Sequence, residues 1–192
     1  QLPLYIKHSL TADGKRVPAL PCSFESGVVE GKEYLSNSLR DSSEKLRKAI
    51  IFNPICREIS LHSFYFAPAL AIRAKEVPKI LKAKQIRGVI VVEKMLHLTA
   101  NILVGNTENP KNIVFTHFDS IQAGAVDNAS GTAILLQAIR ERLALKSTLY
   151  VLSGSEELSY DRPIYWGYGY RVFEQQYKHL LVQSQRIIIV DS

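Results

Sequence analysis

The 192-residue chain is predicted to be an α/β protein, with a mostly parallel sheet flanked by helices and a β-rich N-terminal region. Three observations predict it. Beyond residue 96, short apolar runs alternate with helical patterns, as in parallel strands joined by crossover helices. Three of those runs end in metal-binding residue types: Asn112-Ile-Val-Phe-Thr-His117-Phe-Asp119, Tyr150-Val-Leu-Ser-Gly-Ser-Glu156-Glu157 and Ile187-Ile-Ile-Val-Asp191. The first half instead carries period-two alternation and turn dipeptides.

In chain order, Leu2, Leu4 and Ile6 alternate as in a half-buried strand. Asp13-Gly14 is a hairpin turn before Val17-Pro-Ala-Leu20. Val28-Val-Glu-Gly31 is a strand and turn. Residues 43–51 are expected to be a short helix stopped before Pro54, and 55–66 a strand. A helix with Pro78 in its first turn runs to about Lys84. Gly88–Val92 opens the second half as a short buried strand, followed by strand 98–104, strand 112–116, helix 130–144, strand 148–152, helix 164–181 and strand 186–190. In helix 130–144, Thr132, Leu135, Leu136, Ile139 and Leu143 form one stripe opposite Arg140, Glu141 and Arg142. A boundary falls near residues 85–96, giving a β-rich accessory region, 1–95, and a second region, 96–192. The sequence contains no internal repeat.

The net charge of +6 raises the question of nucleic acid. The most basic stretch, Arg73, Lys75, Lys79, Lys82, Lys84 and Arg87, reads as the solvated face of a helix, and no aromatic residues interleave it. No apolar run reaches the roughly 20 residues that span a bilayer. No secretory pattern opens the chain, and a cytoplasmic location is expected. Cys22 and Cys56 are too few for a disulfide framework and lack zinc-site spacing; two thiols in a reducing compartment are expected.

In open α/β sheets ligands bind beyond the carboxyl ends of the strands. His117, Glu156, Glu157 and Asp191 fall there, and Asp127 lies in Gly124-Ala-Val-Asp127-Asn128-Ala-Ser-Gly131, between a strand and its helix. Each motif alone has a bland reading: a hydrogen-bonded loop histidine, an N-cap, two solvated acids. Together they make an oxygen-rich site with one imidazole, suited to zinc, manganese or cobalt. Adjacent carboxylates repel unless a cation compensates them. With metal, one acts as ligand and the other as general base, and amide hydrolysis is the natural task. The segment Ile164-Tyr-Trp-Gly-Tyr-Gly-Tyr170 is core packing or the wall of a substrate pocket.

The ordered segments Thr116-His117-Phe-Asp119, Gly124–Gly131, Ser155-Glu156-Glu157 and Ile189-Val-Asp191 resemble the M28 family of zinc aminopeptidases and carboxypeptidases. Leu98–Gly105 resembles the strand leading into that family's core, so the resemblance covers about residues 98–192. It implies a zinc-exopeptidase fold and a peptide substrate cut at a terminal residue. It also implies two zinc ions, with His117 and Asp191 on one, Glu157 on the other and Asp127 bridging both. Glu156 would be the general base, and Asp119 would orient His117. Residues 1–95 resemble the protease-associated-type insert of some members. The family's second zinc takes a further histidine beyond the Asp191-type ligand; His8, His62, His97 and His179 do not match that motif. A catalytically silent binding homologue and a single-zinc acyltransferase like glutaminyl cyclase are the alternatives. The unmatched histidine favours the first of these, and the intact Glu156-Glu157 pair opposes it.

Overall fold

The computed structural model describes residues 2–39, 46–61, 64–121, 124–160 and 164–191. The chain divides into two compact units, Gln1–Leu96 and His97–Ser192.

The first unit contains β1 (Leu2–Ala12), β2 (Lys15–Arg16), β3 (Ala19–Pro21), β4 (Gly27–Val29), β5 (Leu35–Asn37), β6 (Ala49–Asn53), β7 (Ala69–Arg73), α1 (Val77–Lys82) and β8 (Ile86–Met95). Among the described residues these strands form two four-stranded sheets, ordered β2-β1-β8-β4 and β3-β7-β6-β5. Asp13 and Gly14, both at positive φ (48° and 73°), make the two-residue turn between β1 and β2, because a primed turn matches the right-handed twist of its strands. The register of β1 against β8 shifts between Tyr5 and Lys7. That extra residue reverses the side-chain alternation. Leu4 and Ile6 are therefore exposed, while Tyr5, Leu10 and Ala12 face the core.

Leu10, Ala12, Ile86 and Ile90 of the first sheet pack with Ile50, Leu70 and Ile72 of the second, and Ile80 of α1 joins them. The opposite face of β6 and β7 buries Ala49, Ile51, Ala69 and Ala71 around Cys22 and Tyr65. Two faces buried at once explain two departures from expectation. Residues 49–53 form a strand, not the end of a helix over 43–51, of which 43–45 lie outside the described residues. Within 55–66 the described residues form only an isolated bridge, Tyr65 to Ser23, and the strand comes later, as β7. A short, wholly buried apolar run has no period to separate strand from helix. β8 lies at the centre of the first sheet and does not open the second half of the chain. The basic stretch is partly paired: Arg73 with Glu58, Lys79 with Glu76 and Arg87 with Glu30.

The second unit contains β9 (Ile102–Gly105), β10 (Asn112–His117), α2 (Ala129–Arg140), β11 (Thr148–Ser153), α3 (Tyr168–Gln183) and β12 (Arg186–Ile189). The sheet order is β12-β10-β11-β9. β10 is parallel to β11 and β12, and β9 is antiparallel to β11. Phe173 and Leu180 of α3 pack on Ile113, Phe115, Leu149 and Val151. α2 lies against β10 and β11, on the side to which Thr116 alternates from Phe115. The expected stripe of α2 holds in part: Leu135 is buried, whereas Leu136 and Leu143 are exposed. The helix stops at Arg140, and Arg142 and Ala144 take positive φ, which turns Leu143 away. Among the described residues no helix is long and apolar enough to cross a membrane.

Candidate metal centre

β10 ends at His117, which is in register with Ser153 at the end of β11 and almost wholly buried. Thr132 Oγ1 on α2 donates to the His117 carbonyl oxygen at 2.7 Å. The His117 Nδ1–H donates to the backbone carbonyl of Asp119 at 3.0 Å. A carbonyl oxygen only accepts, so Nδ1 must carry a proton, and Nε2 is the nitrogen left for a ligand role. Nε2 lies 3.1 Å from Asp127 Oδ1 and 3.1 Å from Asp191 Oδ1. Asp127 comes from the connection into α2. Asp191 follows β12, which pairs directly with β10. The neighbouring parallel strands thus deliver one imidazole and two carboxylates to a common edge.

Asn128 fastens this edge. Its side chain is buried, and its Oδ1 caps α2 by accepting from Gly131 N at 3.1 Å. Its Nδ2 donates to Thr116 Oγ1 at 3.1 Å and to the Val190 carbonyl at 3.0 Å. One amide therefore ties the end of β10, the start of α2 and the residue before Asp191. The Asp127–Asn128 peptide is cis. Gly131 must lack a side chain here, since a Cβ would stand 2.7 Å from the Val190 oxygen and 2.8 Å from Thr116 Oγ1. Replacing Asn128 with Ala removes a helix cap and two buried hydrogen bonds, an expected loss of about 2–3 kcal/mol. Chemical denaturation measures it, and a loss below about 0.5 kcal/mol contradicts this role.

Asp119 bonds His117 through its backbone carbonyl; its carboxylate, 3.7 Å from Nδ1, adds charge there and has a second task. The two carboxylate oxygens accept from the backbone N–H of Glu156 and of Glu157, each at 3.0 Å. The Glu156-Glu157 loop is thereby pinned to the loop after β10. Ser155, just before it, takes positive φ (56°). Burial alone would raise the Asp119 carboxyl, but His117 and the two N–H donors outweigh it and hold it below the usual range.

The centre has an excess of negative charge. Burial pulls the His117 imidazole down; Asp119, Glu156 and Asp191 overcome this and raise it to about 9. Burial, then Asp127 and Glu156, push the Glu157 carboxyl up to about 7. Burial, with Asp191 and Asp119, also raises Glu156, against the opposing pull of His117. The raised His117 and the raised Glu157 act in one direction on stability. His117 binds its proton more tightly folded than unfolded, so its contribution is whole below about pH 6.5 and lost as pH rises through about 9. Glu157 favours its neutral form when folded, so stability falls from about pH 4.5 through about 7. In chelator, the thermal midpoint is expected to decline between pH 6 and 9 by these groups; a flat or rising midpoint contradicts the charge cluster.

Among the described residues, His117, Asp127 and Asp191 offer ligand atoms that all lie within 4.8 Å of one another. The donor types fit zinc, and so does the spacing, since ligands about 2.0 Å from a tetrahedral ion are separated by about 3.3 Å. Glu157 is outside that trio, although the charges of Asp127 and Glu156 act on it. His8, His97 and His179 do not join the trio, and His62 lies outside the described residues. Beside the centre is a cavity of about 270 Å³ lined by Phe118, Asp119, Ser120, Asn128, Thr132 and Leu136. In the aromatic segment Tyr165 is buried and Trp166 half exposed, their rings edge to face. Sequence reasoning missed the structural weight of Asn101. Its Oδ1 accepts from Ser153 Oγ (3.1 Å) and Gly154 N (3.3 Å), and its Nδ2 donates to the Gly169 carbonyl (2.7 Å). A lone polar residue at the head of an apolar strand was the available signal.

Residues 99–157 match the family model of Peptidase family M28. No curated protein matches the chain. Among solved structures, the chain resembles BSAP, a zinc aminopeptidase from Bacillus subtilis, with a TM-score of 0.51 and 17% identity over 81% of this chain and 50% of that one. A medium-resolution structure of the same aminopeptidase gives 0.48 and 16%, with the same coverage. The chain thus spans about half the length of the solved structure it matches, and at this identity the likeness is one of fold. The segment of this chain that is similar to the M28 family model carries His117, Asp127, Glu156 and Glu157 in the order the resemblance requires.

Proposed function

We propose that the protein is a zinc-dependent exopeptidase, an aminopeptidase with a two-zinc centre, acting on the terminal bond of a peptide. The observation that carries this reading is His117 Nε2 at 3.1 Å from both Asp127 and Asp191, beside a Glu-Glu pair that Asp119 holds in place. His117, Asp191 and Asp127 would hold the first ion, and Glu157 with Asp127 the second. Bound zinc supplies polarisation of the scissile carbonyl and a lowered pKa for water. Glu156, its carboxyl already raised, takes the proton of the attacking water and passes it to the leaving amine. Asp119 fixes the backbone from which Glu156 reaches, and its carbonyl keeps Nδ1 protonated, which would leave Nε2 as the ligand atom. The cavity beside Asp119, with Phe118 and Leu136 on its wall, suits an apolar side chain of the substrate. A cytoplasmic location, where thiols such as Cys22 and Cys56 stay reduced, is part of this reading.

Assay of the zinc-supplemented protein on a panel of aminoacyl anilides and carboxy-terminal dipeptides tests the reading. Hydrolysis that a chelator removes and zinc restores is expected. Zinc uptake without hydrolysis points to the silent homologue, and cyclisation of amino-terminal glutamine to the acyltransferase.

A further inference from the structure

Tyr170, in the first turn of α3, does more than its ring requires. The ring stands edge-on to Phe115, with centroids 5.5 Å apart at 87°, and packs with the apolar cluster around Phe173. A phenylalanine would fill that place. The hydroxyl, however, is buried without a hydrogen-bond partner. Such orphan groups are few in native proteins and cost about 1–3 kcal/mol each. Other tyrosines here are provided for: Tyr150 donates to the Leu143 carbonyl at 2.9 Å, and Tyr5 to the Ser23 carbonyl at 2.8 Å.

The surroundings of the orphan hydroxyl are acidic. Burial, then the charges of Glu156, Asp191, Asp119 and Asp127 in that order, push the phenol far above its ordinary value. It therefore remains a donor among acceptors, with Glu156 the strongest influence of the four. The start of α3 is also stitched to the Glu156 loop. Gly167 N donates to the Glu156 carbonyl at 2.6 Å, Gly169 N to the Ser155 carbonyl at 3.4 Å, and Asn101 bonds both Gly169 and the end of β11. Gly169 admits this close approach, because a Cβ would stand 2.9 Å from Asn101 Oδ1. Tyr170 and Glu156 are thus mounted on one rigid junction.

We propose that Tyr170 is a positioning residue for Glu156: in the working site its hydroxyl donates to the Glu156 carboxylate, directly or through one ordered water, and aims the other carboxylate oxygen at the attacking water. The inference rests on the peptidase reading for its catalytic consequence, but its geometry does not. Tyr170→Phe keeps the ring and its packing. In the full-length zinc-loaded protein it is expected to lower kcat about ten- to a hundredfold, as loss of a hydrogen bond to a charged group does. KM, zinc content and thermal midpoint are expected to hold. An unchanged kcat in an active enzyme overturns the proposal, as does a fall in kcat matched by loss of zinc or of thermal stability. Independently of activity, a crystal structure of the zinc-loaded wild type is expected to place Tyr170 Oη within about 3.2 Å of a Glu156 oxygen, or of a water bonded to one; neither contact overturns it. A wild type that hydrolyses nothing overturns the peptidase reading, and this distance then decides Tyr170.

Discussion

Glu156→Gln is expected to lower hydrolysis by about 10²–10⁴-fold while zinc content stays at the wild-type level. The amide is nearly the same size as the carboxylate, so the change removes basicity with little disturbance. The Glu156 backbone N–H still donates to Asp119, and its carbonyl still accepts from Gly167, so the loop keeps its place. Removing one acid from the cluster also relieves Glu157, which Glu156 helps to push up. Metal analysis and steady-state kinetics on one preparation separate the roles: loss of zinc with activity would make Glu156 a ligand.

Asp127→Ala is expected to weaken zinc binding by more than 100-fold and to abolish hydrolysis. Loss of an outer partner of a metal site costs about 10–100-fold, and loss of a ligand shared by two ions would cost more. Asp127 is half exposed, so its removal leaves no buried cavity, and the neighbouring Asn128 keeps its three hydrogen bonds. Without Asp127, the Glu157 carboxyl is expected to fall from about 7 toward its ordinary range. Calorimetric zinc titration with a parallel thermal melt measures both effects. A folded Asp127→Ala protein that binds zinc as tightly as wild type contradicts the bridging role.

The gathering of His117, Asp127 and Asp191 was legible because parallel strands bring their carboxyl ends to one edge. An apolar run followed by His117, a second followed by Glu156-Glu157 and a third followed by Asp191 need only a parallel sheet to bring their ends near one another. The relationship of Asp127 to Asn128 was less legible: sequence makes Asn128 a cap, whereas the fold also uses its other nitrogen to fasten Thr116 and Val190. Asp119 shows the same limit. A spacing of two residues from His117 suggested a carboxylate–imidazole pair; the carboxylate does stand 3.7 Å from Nδ1, but the backbone carbonyl makes the hydrogen bond and the carboxylate also holds the Glu156-Glu157 loop. Such choices depend on contacts between segments far apart in sequence. The first unit was read less well for a local reason. β6 and β7 bury both faces, so no alternation marks them, and a one-residue shift in β1 reversed the face that Leu2, Leu4 and Ile6 implied.

His117, Asp127 and Asp191 are expected to surround a zinc ion. Anomalous scattering at the zinc edge, from crystals of the full-length protein grown with zinc, tests it most directly. A peak is expected about 2.0–2.2 Å from His117 Nε2 and from an oxygen of each aspartate. A crystal that takes up zinc elsewhere, with the three side chains bonded only to one another, would contradict it.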